Sequence, residues 1–508
     1  MEFLQYFGEV FTLTHFMILV GGTIGGLILG ATPGLSPTMA VALLIPFTFQ
    51  MEPTASLILL GAVYTSTVAG GAVSGILVNI PGAPANIATV MDGHPMAQQG
   101  RATEALHYCF ISSLIGGVIG VFLLIFFTPP LADLALKFGP AELFWISIFG
   151  VTIIASLGGG SVIKGLIAGA VGLWISTIGY NPVLGEERFA FSEHLTGGVH
   201  VIAALIGLFA IPQVLTLLES KAPTGEVEMN ELENHSIWRS IKYNLSRLRA
   251  LTIGTVTGSI VGVIPGAGGQ IAGLVAYDQT RKTSKDSSKF GKGEPDGVIA
   301  AESANNAMVG PSLVPLLTLG IPGSPTAAVL LGGLLINGLF PGPDLFTVHS
   351  AVTWTFIDSL LVGQVLMMIF GLSISRYSRF VTRIPNHVMA AAVTVLAVFG
   401  TYSVQNSLSD VIVMFTLGIG MYFAAKIGFS PAPLVLGLIL GQLTETNFLQ
   451  GRMIADSMDG PWAYFFSGTI NLIVIALCVL SIGFSIYSEM RSNRLSREQA
   501  AMKAQEAA

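Results

Sequence analysis

Four short segments with a Pro-Gly pair interrupt long apolar stretches of this chain. They are ATPGLSPT (31–38), IPGAPAN (80–86), IPGAGGQ (264–270) and IPGSPT (321–326). Serine is a favoured helix N-cap and proline a favoured first helical residue, so Ser36-Pro37 and Ser324-Pro325 predict the starts of two helices. Because a helix N-terminus carries roughly half a positive charge and free N–H donors, several such ends pointing inward would bind an anion without lysine or arginine.

Two kinds of residue in these segments would contact a ligand. Glycine lets a ligand approach main-chain N–H groups closely, and the threonines, asparagine and glutamine that follow the breaks offer side-chain donors. The apolar segments contain almost no basic side chains, so a carboxylate bound by helix ends fits such a site. The predicted substrate-binding residues are Gly34, Ser36, Pro37, Thr38, Gly82, Pro84, Asn86, Gly266, Gly268, Gly269, Gln270, Gly323, Ser324, Pro325 and Thr326.

A second polar group lies between the last two interruptions. Glu302, Asn305 and Asn306 are candidates for binding a coupling cation, Na⁺ or H⁺, and Asp358 is a further acid in apolar sequence. Ionisable residues inside a membrane are functional-site hypotheses by default, although hydrogen bonding between helices explains the asparagines equally well. No metal site and no organic cofactor are predicted.

The composition assigns the chain to the membrane. Of its 508 residues 52% are hydrophobic and only 10% are charged, and the mean hydropathy is +0.73, whereas roughly a quarter of an average soluble domain is charged. The predicted fold class is an all-α integral membrane protein with about eleven or twelve transmembrane segments of about 20 residues each. The lipid bilayer is therefore a partner, and nucleic acid is not.

The interruptions belong to an internal duplication. Residues 22–40 match residues 254–272 at an offset of 232, with six identities up to the shared Pro-Gly pair, and the second boxes match at an offset of 241. Paired interruptions in corresponding places point to the binding site of a transporter. The predicted first membrane repeat is 1–220, with a hairpin near 14–49 and a break near 79–86. The predicted second repeat is 250–489, with a hairpin near 250–277 and a break near 320–326. A cytoplasmic linker at 221–249 joins the repeats, and a cytoplasmic tail follows at 490–508.

The arms of each hairpin are short. Arms of about 12 to 17 residues measure roughly 18 to 25 Å as helix, less than a hydrocarbon core of about 30 Å, so re-entrant hairpins are predicted. Lysine and arginine accumulate on the cytoplasmic side; they are frequent around the second hairpin and absent from residues 50–56 beside the first. The two repeats are therefore predicted to have inverted topology. The glycines that recur every four residues at 22–30 and 254–262 indicate close helix packing.

Three other classes of membrane protein compete with a transporter. An intramembrane enzyme would carry paired acids, a HExxH helix or a Ser/Lys or Ser/His pair within its spans; none is found in the sequence, so the chain is predicted not to be an enzyme. An anion channel stays open as an alternative, although broken helices in two opposed halves favour alternating access. A structural scaffold would not explain why the interruptions are duplicated.

Five longer motifs contain or adjoin these interruptions: GATPGLSPTMA, VNIPGAPANIATVMDGHPMAQQGRA, GVIPGAGGQIAGLVAYDQT, GKGEPDGVIAAESANNA and LTLGIPGSPTAAVLLGGLLINGLFPGP. In these motifs the chain resembles the large membrane subunit of the bacterial tripartite tricarboxylate transporter family. The resemblance implies a secondary transporter of the inner membrane that imports di- or tricarboxylates such as citrate, is driven by a cation gradient and uses elevator-type alternating access. It also implies two partners, a small membrane subunit of about four helices and a periplasmic solute-binding protein. A carboxylate transporter that works without a binding protein is a further alternative.

Overall fold

The computed structural model describes residues 3–157, 161–181, 185–190, 192, 195–219, 236–264, 268–375, 385–456, 460 and 462–506. These residues are almost entirely helical. Nine of the described helices are long and apolar enough to cross a membrane, and five shorter ones are also apolar. The predicted all-α integral membrane class is confirmed, and the predicted eleven or twelve segments lie between the nine long helices and the full apolar set.

The first half of the described chain contains nine helices, a short strand pair and two 3₁₀ turns. The helices are α1 Phe3–Tyr6, α2 Leu13–Ala31, α3 Pro37–Thr48, α4 Pro53–Val78, α5 Ile87–Gln98, α6 Ala102–Ala135, α7 Pro140–Leu157, α8 Val162–Ser176 and α9 Val201–Glu219. The 3₁₀ turns are Phe7–Phe11 and Pro84–Asn86, and the antiparallel strands are β1 Gly179–Tyr180 and β2 Glu187–Arg188.

The second half of the described chain contains thirteen helices and one 3₁₀ turn at Ser287–Lys289. The helices are α10 Ile237–Ser246, α11 Leu248–Val263, α12 Gly268–Lys282, α13 Pro295–Ala307, α14 Val309–Leu319, α15 Pro325–Ile336, α16 Asp344–Thr347, α17 Ser350–Ser375, α18 Asn386–Gln405, α19 Leu408–Lys426, α20 Pro431–Ala455, α21 Ala463–Phe466 and α22 Thr469–Glu506.

The two copies end their long helices in the same way. Asn79 after α4 and Gly320 after α14, which correspond at the offset of 241, both adopt left-handed backbone with φ of 59° and 73°. In the break that follows, Gly82 N–H donates to Gly71 O at 3.0 Å, and Gly323 N–H donates to Ser312 O at 3.1 Å. The duplication read from the sequence therefore extends to equivalent hydrogen bonds.

The recurring glycines pack helices together in both copies. A side chain at Gly30 of α2 would lie 2.5 Å from Thr67 O in α4, and one at Gly262 of α11 would lie 2.6 Å from Met308 O beside α14. A β-carbon cannot occupy such positions without moving backbone. The prediction that these glycines serve close helix packing is confirmed.

The predicted hairpins differ between the copies. Arms α11 and α12 pack against each other, whereas α2 and α3 make few mutual contacts, although the chain breaks at Thr32–Ser36 as expected. Helix α3 instead packs against α15, α9 and α18, while α2 lies along α4. In the first copy, α3 therefore packs mainly on helices distant in sequence and not on α2, the other arm of its predicted hairpin.

The described chain forms two compact units. The first comprises residues 1–136 and 201–422, and its core includes Leu27, Val73, Leu106 and Val298 from four packed helices. The second comprises residues 137–200 and 423–508, in which α7 and α8 pack against α20. Each unit draws on both halves of the chain, and all four interruptions belong to the first.

A buried carboxylate fastens the loop before α13 to the first copy. Asp92 of α5 is fully buried, and its Oδ1 accepts backbone N–H groups of Gly291, Gly293 and Glu294 at 2.8–2.9 Å. Its Oδ2 accepts the Tyr277 hydroxyl at 2.8 Å. Because all these donors belong to the second copy, Asp92 holds the two copies together at this end of the first unit.

Candidate functional site

The helices that follow the first and the last interruption meet at their N-termini. Helix α3 begins at Pro37 and α15 at Pro325, as the sequence predicts. The hydroxyl oxygens of Thr38 and Thr326, each the second residue of its helix, are 2.9 Å apart and buried. Two helix ends with partial positive charge therefore lie side by side.

Serine caps both of these helices. Ser36 Oγ accepts Met39 N–H at 3.3 Å, and Ser324 Oγ accepts Ala327 N–H at 3.1 Å. These bonds satisfy the third N–H of each helix, and proline has none to offer at the first position. The N–H group of the second residue in each helix has no acceptor within its own helix.

Tyr64 of α4 fixes the cap of α15. Its hydroxyl is 2.8 Å from Ser324 Oγ and 3.2 Å from Ser312 Oγ, and the side chain is fully buried. The tyrosine comes from the first copy and both serines from the second. The position of the α15 N-terminus thus depends on a hydrogen bond between the copies.

The second and third interruptions also meet. Helix α12 packs against the 3₁₀ turn Pro84–Asn86 and against α5. A side chain at Gly269 would lie 3.1 Å from Ala85 Cβ, and one at Gly268 would lie 3.6 Å from Pro325 Cδ. Gly268 therefore links this pair of breaks to the meeting point of α3 and α15. Gly266 falls outside the described residues.

The Glu302 carboxylate of α13 accepts hydrogen bonds from side chains of three elements. Its Oε1 accepts Asn86 Nδ2 at 3.3 Å and also the Thr89 hydroxyl, and its Oε2 accepts Ser113 Oγ at 3.2 Å. Glu302 and its three partners are fully buried. Asn86, predicted to bind substrate, thus contacts the candidate cation-binding acid, so the two predicted sites share a residue.

Several buried polar atoms around Glu302 have no hydrogen-bond partner among the described residues. They are both side-chain atoms of Asn305 and the Oδ1 atoms of Asn306 and Asn86. Asn306 Nδ2 does donate, to Ser113 Oγ at 2.8 Å. Buried polar groups are almost always paired. The three amide oxygens of this set, together with the Glu302 carboxylate, are oxygen ligands of the type that a small hard cation prefers.

The remaining predicted residues have differing environments. Gly82 and Gly323 are packed against backbone: side chains there would lie 2.6 Å from Gly30 O and 2.7 Å from Ser312 Cα, respectively. Gly34 has a φ of 82°, and a side chain there would meet Gln213. Pro84 and Gln270 are exposed, whereas Gly268 and Gly269 are buried. Their assignment to substrate binding stays a prediction.

Sequence reasoning missed three residues of this cluster. Tyr64, Thr89 and Ser113 hydrogen-bond to predicted site residues. One signal was available for Tyr64, because it precedes Asn305 by 241 positions and so holds the corresponding place in the first copy. Thr89 and Ser113 carry no comparable mark in the sequence.

A multi-pass helical protein whose broken segments converge on a buried polar centre has the architecture of a solute transporter. Residues 16–436 match the tripartite tricarboxylate transporter TctA family. The chain belongs to this family. It is accordingly a membrane subunit of a tripartite tricarboxylate transporter, a system that includes other subunits.

Two relatives come from Agrobacterium vitis. The chain is 34% identical over 475 residues, which cover 93% of both chains, to an uncharacterized 52.8 kDa protein of the TAR-I ttuC′ 3′ region. It is also 34% identical over 237 residues to an uncharacterized protein of the TAR-II ttuC′ 3′ region, covering 47% of this chain and 97% of that relative.

Proposed function

We propose that this chain imports a di- or tricarboxylate of the citrate type across the bacterial inner membrane. The observation that carries the proposal is the meeting of α3 and α15, where the Thr38 and Thr326 hydroxyls touch at 2.9 Å. The N–H groups of the same two residues can bind a carboxylate with no buried basic side chain, since helix N-termini favour anions. The chain acts as a carrier and not as an enzyme.

A cation gradient supplies the energy in this proposal. Glu302, Asn305 and Asn306 form the coupling site, with Asn86, Thr89 and Ser113 completing the Glu302 surroundings. A buried carboxylate among neutral oxygens can bind either Na⁺ or H⁺. Because Asn86 follows one of the interruptions and contacts Glu302, occupation of the cation site would affect the position of that break.

Elevator-type alternating access is the proposed mode of transport. All four interruptions belong to the unit of residues 1–136 and 201–422, so one body carries both candidate sites. The first break of each copy meets the second break of the other, through α3 with α15 and through α12 with α5. A twofold relation produces such reciprocal pairing, which supports inverted repeats.

The proposed partners are a small membrane subunit of about four helices and a periplasmic solute-binding protein that delivers the carboxylate. The proposed location is the inner membrane with the C-terminus in the cytoplasm. Support for this orientation comes from the basic residues that flank α11 and α12, because lysine and arginine accumulate on the cytoplasmic side of membrane proteins.

The decisive experiment is uptake into proteoliposomes. The chain is reconstituted with both partners, and uptake of a panel of radiolabelled mono-, di- and tricarboxylates is followed under separately imposed Na⁺ and H⁺ gradients. We expect accumulation of a di- or tricarboxylate under one of these gradients, and only when the binding protein is present. Vesicles with the small subunit alone serve as the control.

Two outcomes would replace the proposal. Gradient-driven uptake by the chain without the binding protein would identify a carboxylate transporter of the simpler kind. Equilibration of the anion without accumulation under either gradient, together with an anion conductance, would identify a channel.

Inverted topology has its own test. Glu52 and Ser287 are exposed and flank the first hairpin and the second one, respectively, while the native cysteines Cys109 and Cys478 are buried. Single cysteines at these two exposed positions should react with an impermeant maleimide from opposite sides of the membrane. Labelling from the same side would overturn the inverted arrangement.

A further inference from the structure

The short helix α10 is amphipathic, but it buries its polar face and exposes its apolar face, the opposite of a helix on the surface of a soluble protein. Its inward face is polar, because Ser240 and Asn244 are fully buried. Its outward face is apolar, because Trp238 is 77% and Leu245 53% exposed. Removing such an apolar face from water is favourable, so a contact of this face with an apolar environment would stabilise the helix.

The polar face is firmly seated on α6. His107 Nδ1 lies 3.3 Å from Ser240 Oγ, and the rings of Tyr108 and Tyr243 stack with centroids 4.8 Å apart. At the end of α10, Arg247 forms an ion pair with Asp296 at 3.4 Å. These contacts fix the rotation of the helix, so exposure of its apolar face is a property of the fold.

The outward face also carries positive charge. Residues 236–249 include four basic residues and no acid. Arg247 and Arg249 pair with Asp296, whereas Arg239 and Lys242 are exposed and form no ion pair with any described residue. A surface concavity combines these charges with the apolar side chains; its lining is Trp238, Arg239, Ile241, Lys242, Leu245 and Ser246.

The chain path joins α10 directly to the first arm of the second predicted hairpin. Helix α10 ends at Ser246 and the hairpin arm α11 begins at Leu248, so a single residue separates them. At ten residues α10 is too short to cross a membrane. A basic amphipathic helix with an outward tryptophan beside a membrane segment has the features of a helix that lies in the interface.

We propose that α10 is a binding surface for anionic phospholipid. Trp238, Ile241 and Leu245 enter the boundary between headgroups and acyl chains, and Arg239 and Lys242 bind the phosphates of anionic headgroups. Opposite charge favours lipid as the occupant, since a partner protein helix packed on this face would have to bury two cations.

Quenching by brominated lipid tests the proposal on the full chain. The protein is placed in nanodiscs that contain brominated phosphatidylglycerol or brominated phosphatidylcholine at the same mole fraction. The fluorescence of Trp238 is obtained as the difference between the protein and its Trp238→Phe variant. We expect the anionic lipid to quench Trp238 at a lower mole fraction than the zwitterionic lipid. Leu245→Trp in the Trp238→Phe background is a second probe on the same face.

Charge variants separate headgroup binding from simple insertion. In Arg239→Gln/Lys242→Gln the mole fraction of anionic lipid for half-maximal quenching should rise by up to about twenty-fivefold, because each of the two basic residues near an anionic surface changes binding about fivefold. The control Lys137→Gln/Arg452→Gln removes two other exposed cations and should leave the value unchanged.

Three results would overturn the proposal. Equal quenching by the two lipids would mean insertion without headgroup recognition, and absence of quenching by either would mean that the face is not in lipid. Quenching that disappears when the small membrane subunit is added would assign the face to that subunit.

Discussion

Thr38 and Thr326 are separated by 288 residues in sequence, yet their hydroxyl oxygens lie 2.9 Å apart. Each follows a serine-capped proline at the start of its helix. The contact joins the first interruption of one copy to the second interruption of the other. The candidate anion site is therefore built jointly by the two copies.

The first prediction concerns this hydroxyl pair. Thr38→Val keeps the shape of the side chain but leaves the buried Thr326 hydroxyl without its partner, which costs about 1–3 kcal/mol. We expect the half-saturating carboxylate concentration in proteoliposome uptake to rise about tenfold. Thr23→Val is the matched control, since the Thr23 hydroxyl bonds only to Leu19 O of its own helix. An unchanged concentration for Thr38→Val would remove the pair from the site.

Tyr64 should control the position of the α15 N-terminus. Tyr64→Phe deletes the hydroxyl that contacts Ser324 and Ser312. We expect uptake to fall about tenfold, corresponding to about 1.4 kcal/mol for one neutral hydrogen-bonding group. Tyr402→Phe, at a side chain that is 44% exposed, should transport normally. Full activity of Tyr64→Phe, with the protein folded by its melting temperature, would contradict this role.

Glu302 and Asp358 should differ in their effect on cation coupling. Glu302→Gln removes the negative charge and places an amide donor opposite the donors Asn86, Thr89 and Ser113. Because a buried donor without an acceptor is costly, we expect the cation concentration for half-maximal uptake to rise by about tenfold or more. Asp358 is buried, and neither of its carboxylate oxygens has a hydrogen-bond partner among the described residues. It therefore forms no hydrogen bond to any of the described interruption residues. Asp358→Asn should retain the normal cation dependence, and the opposite pattern would move the coupling site to α17.

Gly269 offers a steric test of the same region. A β-carbon there would meet Asn305 Oδ1 and would lie 3.1 Å from Met308 Cε, so Gly269→Ala must displace the Asn305 amide. We expect uptake to fall about tenfold or more, since a small misplacement at a site can cost up to about a hundredfold. Gly25→Ala is the control, because nothing lies within 4 Å of its added carbon. Equal activity of the two variants would show that Asn305 does not need its present position.

Local chemistry made much of the protein predictable. Apolar length assigned the membrane, and Ser-Pro pairs located the starts of α3 and α15 because capping depends only on neighbouring residues. The duplication was visible because glycines that pack against backbone, such as Gly30 and Gly262, tolerate no other side chain. These features are all encoded within one or two turns of helix.

Only the tertiary structure decided which of these elements meet. The sequence placed Asn86 with the substrate site, whereas packing of α5 on α13 turns its amide to Glu302. It also predicted two similar hairpins, but α3 packs on α15 and not along α2. Helix periodicity and capping fix each segment by itself, while the pairing of segments hundreds of residues apart depends on how whole helix faces fit together.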